Sequence, residues 1–157
     1  MKFLSNPCIK YEGYNCFGCS PRNPIGLKML FTEEDDYLFS EWTPELHYQG
    51  YHNVLHGGIQ ATLMDEIATW TIFVKADMGG VTAKIEIKYR KPVYIHKGKI
   101  QLKSRLLETK KRTARVKVEL FSADNILCTE AFLDYFLIHR DMPFEGIVIP
   151  EKEAFYE

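Results

Sequence analysis

The chain has 157 residues, enough for one domain that buries about 68–70% of its unfolded surface and needs no staple to fold. Hydrophobic residues at 46% and charged residues at 26% exclude a disordered or low-complexity chain. Twenty Lys and Arg against 21 Asp and Glu give a net charge of −1, which leaves no basic field for a nucleic acid and little repulsion against self-association. The longest apolar-looking run, Ile67–Val74, is short of a membrane span and holds two threonines. Met1–Lys10 lacks the apolar core of a secretory signal. Residues 1–157 therefore read as one soluble, cytoplasmic domain that needs neither membrane nor nucleic acid.

Residues 1–26 read as an irregular segment, broken by Pro7, Gly13, Gly18, Pro21, Pro24 and Gly26. Three of the four cysteines lie in it. Cys16-Phe17-Gly18-Cys19 has the spacing of half a zinc site, with Cys8, His47 and His52 as the nearest further ligand candidates. There is no second Cys-x-x-Cys, Cys128 being alone, so the expectation is a tight loop with inward thiols and no metal. Leu27–Phe31 and Tyr37–Trp42 read as short strands around the acidic turn Glu33-Glu34-Asp35-Asp36. Thr43–Leu55 is an irregular connection.

From His56 the period changes. Ile59, Leu63, Ile67, Trp70 and Val74 recur at helical steps, giving a helix opened by Gly57-Gly58 and closed by Gly79-Gly80. Val81, Ala83, Ile85, Ile87 and Tyr89 then alternate with polar residues as a half-buried strand that ends at Pro92. That parity puts Thr82 off the helix-facing side. Ile100–Leu107, Ala114–Phe121 and Ile126–Ile138 are further strands with short antiparallel links. Residues 141–157, with Pro143 and Pro150, read as an irregular tail. The fold class is α+β: one long central helix wrapped by a curved antiparallel sheet of about five to six strands. Such a sheet has an edge that wants pairing, and an edge-to-edge dimer is the simplest remedy.

Two features of the helix point to chemistry. At Leu55-His56-Gly57-Gly58 the glycines leave the first N–H groups uncovered at the positive end of the helix dipole, a place suited to an anion or a developing oxyanion. The same glycines would also serve close backbone packing. Asp65 lies off the main apolar stripe, among Ala61, Ala68 and Ile72, so its carboxylate faces a confined surface instead of a charged solvated one. Gly57 and Asp65 are separated by roughly 12 Å of helix, too far to meet on one carbonyl within a chain. A two-fold dimer with antiparallel helices brings one chain's Asp65 to the other's Gly57.

These residues resemble the hotdog-fold acyl-CoA thioesterases, in particular the phenylacetate-type branch of the thioesterase superfamily. His56-Gly57-Gly58-Ile59-Gln60-Ala61-Thr62-Leu63-Met64-Asp65 is similar to the family's HGG-x-x-A-T-x-x-D helix. Gly79-Gly80-Val81-Thr82-Ala83 with Tyr89-Arg90-Lys91-Pro92 resembles the following strand, and Asn15–Cys19 with Asn23–Leu27 the N-terminal segment. The resemblance implies a hotdog fold and hydrolysis of an acyl-CoA thioester. Gly57 would donate its N–H to the thioester carbonyl, Asp65 would be base or nucleophile, and Thr82 would position the water or the carboxylate. His56 would orient, and Gly58 would lie at the substrate. Several relatives carry an Asn before HGG where this chain has Gly50, so Gln49 is taken to hold the carbonyl, with Asn53 as the other choice. Arg90, Lys91 and the Lys110-Lys111-Arg112 turn are candidates for the CoA phosphates, or simple solvated charges. No cofactor is implied beyond the CoA of the substrate, and the assembly would be a homodimer or a dimer of dimers. The alternatives are a non-catalytic acyl-CoA sensor and, on the same fold, a hydratase.

Overall fold

The computed structural model describes residues 1–142 and 144–157, so Pro143 of the expected tail lies outside the described residues. Among the described residues, seven strands form one antiparallel sheet: β1 (Lys2–Leu4), β2 (Phe31–Glu34), β3 (Tyr37–Trp42), β4 (Gly79–Tyr89), β5 (Ile100–Thr109), β6 (Thr113–Phe121) and β7 (Leu127–Ile138). Their spatial order is β1-β2-β3-β5-β6-β7-β4. The helix α1 (Gly57–Thr71) continues as a π-helical turn, Ile72–Ala76, and lies against the inner face of the sheet. Leu38, Leu102, Val116, Val118, Leu120, Ala131 and Leu133 line that face and are fully buried. They meet Leu63, Met64, Ile67 and Ala68 of α1, also fully buried. This is the hotdog architecture.

Four details differ from the sequence reading. The irregular N-terminal segment contains β1, whose Leu4 pairs with Phe31. Leu27–Leu30 is not a strand: Lys28 has φ +53°, and the N–H groups of Leu27 and Met29 donate to the carbonyls of Phe17 and Gly18. The Cys-x-x-Cys loop is thereby bonded to the segment entering β2. The helix closes at Asp77, a left-handed residue with φ +55°, and Gly79-Gly80 instead begin β4. At Gly80 a Cβ would lie 3.1 Å from the Tyr135 ring and 3.3 Å from Ile72, so glycine permits a close strand–helix approach. The tail is not wholly irregular, since Lys152–Tyr156 forms a 3-10 turn that buries Phe155 against Trp70 and Phe73.

A fifth difference matters most for the site. The pairing of β4 with β7 slips between Thr82 and Lys84, leaving Ala83 as a bulge. Thr82 pairs with Tyr135, and Ile85, Ile87 and Tyr89 pair with Leu133, Ala131 and Thr129. The partners from β7 all belong to the inner, buried face. The extra residue thus reverses parity, and Thr82 faces the helix while Val81, opposite the exposed Phe136, faces away. No helix among the described residues is long and apolar enough to cross a membrane.

Candidate active site

Asp65 sits in the middle of α1 where the bulge aims Thr82 inward. Thr82 Oγ1 donates to Asp65 Oδ1 at 2.8 Å, and the Tyr135 hydroxyl donates to the same oxygen at 2.7 Å. The Tyr135 hydroxyl also lies 3.0 Å from the Asp65 carbonyl, which accepts from Thr69 Oγ1. Tyr135 is fully buried. Burial first, then the Asp65 charge, pushes its pKa upward, so it keeps its proton and remains a donor. Among the described residues Oδ2 has no protein partner, and no buried side-chain oxygen is left unpaired, so Oδ2 retains access to solvent. The carboxylate is clamped at one oxygen and open at the other.

The helix start is held by different means. His56 Nδ1 accepts the Gly58 N–H at 2.9 Å, which fixes the imidazole as an N-cap. The Gly57 carbonyl accepts from the Tyr89 hydroxyl at 2.7 Å, while the Gly57 N–H has no acceptor among the described residues. A cavity of about 370 Å³, lined by Gly50, Tyr51, Val54, Leu55, His56 and Gly57, opens beside it. Gln60 anchors this turn from below, bonded to the Leu55 carbonyl and the Thr129 hydroxyl.

Three of the remaining sequence candidates, Gln49, Asn53 and Arg90, also make contacts within the chain. Gln49 Oε1 accepts the Asn53 N–H at 3.0 Å, while its Nε2 has no protein acceptor among the described residues. Asn53, left-handed at φ +61°, bonds to both the backbone and the ring of His96. Arg90 pairs with Glu130 at 2.5 Å across to β7, and Lys91 is exposed. Sequence reasoning missed Tyr135 and Tyr89. The signal for Tyr135 was available: a tyrosine at an inward position of a strand needs a partner for its hydroxyl.

On the other flank of α1, Glu66 points under the N-terminal loop. Both of its carboxylate oxygens lie 3.5 Å from Cys16 Sγ, and Cys19 Sγ shares a 2.8 Å contact with the Tyr14 hydroxyl. A Cβ at Gly18 would collide with the Glu66 carboxylate, so this glycine makes the room for it. Burial, reinforced by Cys16, pushes the Glu66 carboxyl up to about 8. Hydrogen bonding from Cys19 draws Cys16 below the ordinary thiol range, and the same bond raises Cys19. Cys16, Cys19 and Glu66 are residue types able to hold a metal ion.

One helix wrapped by one antiparallel sheet, with an inward carboxylate at mid-helix and glycines at its start, defines a hotdog domain of the thioesterase kind. Residues 52–129 match the family model of the thioesterase superfamily, and the chain belongs to that superfamily. Solved structures share the fold. A thioesterase superfamily protein superposes with a TM-score of 0.69 at 19% identity, over 77% of this chain and 62% of its own length. The present chain thus spans less than two thirds of that protein. Thioesterase superfamily member 2 of zebrafish gives 0.66 at 24% identity, over 75% of this chain and 88% of its own. A hypothetical thioesterase of Streptococcus pneumoniae, solved with coenzyme A, gives 0.64 at 18% identity, over 69% and 84%. No curated protein matches the sequence.

Proposed function

We propose that this chain hydrolyses an acyl-CoA thioester to the free acid and CoA, and that it does so as a homodimer. The observation that carries the reading is the Asp65 carboxylate, held at Oδ1 by Thr82 and Tyr135 and open at Oδ2. Oδ2 takes a proton from a water whose oxygen attacks the thioester carbon. The Gly57 N–H, at the positive end of α1, stabilises the charge that develops on the carbonyl oxygen. The carbon–sulfur bond then breaks, and the CoA sulfur leaves with the proton from Asp65.

Support for the dimer comes from β4. It is one end of the sheet, eleven residues long, and Val81, Ile85 and Tyr89 are exposed on it. A long unpaired edge of that kind calls for a partner strand. Its two ends also touch the two halves of the site, Thr82 at Asp65 and Tyr89 at Gly57. Antiparallel pairing of two β4 strands about an axis near Ile85 and Glu86 sets one protomer's Tyr89 and Gly57 beside the partner's Thr82 and Asp65. Each dimer would then hold two composite sites. Lys91, exposed just past β4, would meet a CoA phosphate at the rim.

The test is a hydrolysis screen over acyl-CoAs of different chain lengths, with free CoA thiol as readout and Asp65→Asn as control. Turnover by the parent that the variant lacks supports the reading. A folded parent that binds acyl-CoAs yet hydrolyses none would leave the chain an acyl-CoA sensor.

A further inference from the structure

We infer that Cys16, Cys19 and Glu66 form a zinc site that ties the N-terminal loop to α1, one residue from Asp65. The ligand atoms of the three residues all lie within 4.8 Å of one another. In a tetrahedral zinc centre with Zn–S about 2.3 Å and Zn–O about 2.0 Å, the sulfur–oxygen edge is about 3.5 Å. That is the separation of Cys16 Sγ from each Glu66 oxygen.

The surroundings agree with a cation. Cys16, Cys19 and Glu66 line a cavity of about 350 Å³ with Asn6, Cys8, Glu12 and Tyr14, and none of the residues on its wall is a Lys, Arg or His. A carboxylate facing two thiols without a basic neighbour is balanced either by protons or by a metal ion. The cavity leaves room for a fourth ligand, the Cys8 thiol on its wall or a water. Two thiolates and a carboxylate suit zinc over the harder magnesium or calcium. Spacing alone argued against zinc because it sought a second Cys-x-x-Cys; the third ligand instead stands 50 residues beyond Cys16, on the helix.

Binding here displaces the protons shared among the two thiols and the Glu66 carboxyl and holds the loop over the helix flank opposite the Thr82 clamp. The site would serve as a structural rivet and takes no part in the hydrolytic step, so it stands whether or not the chain is a thioesterase.

The experiment uses the full chain, kept reduced, stripped with chelator and titrated with zinc chloride, with bound metal measured after desalting. One zinc per chain is expected, together with a rise in the thermal midpoint. Cobalt(II) should give the charge-transfer absorption of thiolate ligation. Cys16→Ser and Glu66→Gln should each weaken zinc binding at least about tenfold, the scale of losing part of a ligand shell. Cys128→Ser, at a buried cysteine on β7, should retain it. A folded, reduced parent that keeps less than a tenth of an equivalent and shows no cobalt–thiolate band would overturn the site. Stoichiometric zinc that survives both Cys16→Ser and Glu66→Gln would do the same. If those variants do not fold, the cobalt spectrum of the parent decides.

Discussion

Asp65 and Glu66 are consecutive carboxylates on one helix, and their side chains meet opposite chemistry. Asp65 turns toward β4 and β7, where two hydroxyl groups donate to a single oxygen. Glu66 turns toward the N-terminal loop, where two thiols and a cavity without basic residues surround it. Hydroxyl donors stabilise an ionised carboxylate, whereas desolvation beside thiols favours a bound proton or a bound cation. The difference teaches that local sequence, nearly identical for the two, decides little. The elements packed against each side of the helix decide the role.

The comparison predicts a graded set of effects. Asp65→Asn keeps shape and hydrogen bonding but removes the base, so kcat should fall by about 10²–10⁴-fold with little change in KM. Steady-state kinetics on the best acyl-CoA would check this, and an unchanged kcat would make Asp65 structural. Tyr135→Phe removes the more buried donor and should cost about 10–100-fold in kcat. It should also lower stability by about 1 kcal/mol, read by denaturant midpoint. Thr82→Val should cost less, about tenfold, because water can replace an edge-strand hydroxyl.

Glu66→Gln should change turnover by less than tenfold, since its carboxylate looks away from the Thr82 clamp. Its signature is in stability against pH, measured with chelator present. A folded-state value of about 8 lies above the ordinary 4.5, so the stabilising proton is fully present below about 4.5 and is lost as the pH rises through 8. Relative to the parent, Glu66→Gln should therefore gain stability as the pH rises from about 5 to 8, by up to about 5 kcal/mol. A pH-independent difference between the two proteins would mean that Glu66 is solvated.

Much of this arrangement could be read from the residues themselves. The helical steps from Ile59 to Val74 and the alternation in β5, β6 and β7 are strong because each element buries a whole face. Asp65 stood out by its small apolar neighbours, and Gly57 by its place at the helix start. The missing parts depend on contacts between distant segments. A bulge at Ala83 leaves no mark in an alternating pattern, yet it reversed the side on which Thr82 lies. Leu27–Leu30 looks like a strand, but its N–H groups are taken by Phe17 and Gly18. Spacing also does not show how Gln49 and Asn53 are fixed, Gln49 by the Asn53 N–H and Asn53 by His96. Glu66 draws no attention in the sequence, because its surroundings come from the N-terminal loop 50 residues earlier.

The central claim, that catalysis joins Asp65 of one protomer to Gly57 of the other, has a direct test in mixed dimers. Gly57→Pro deletes the N–H at a helix position where proline is tolerated, and Asp65→Asn deletes the base. Each variant alone should be inactive. When the two are unfolded together and refolded at equal amounts, half of the dimers pair unlike chains, and each of these has one intact site. Recovery of about a quarter of the parent's activity is the predicted result. Well-folded mixed dimers with no more activity than either variant alone would contradict the shared site.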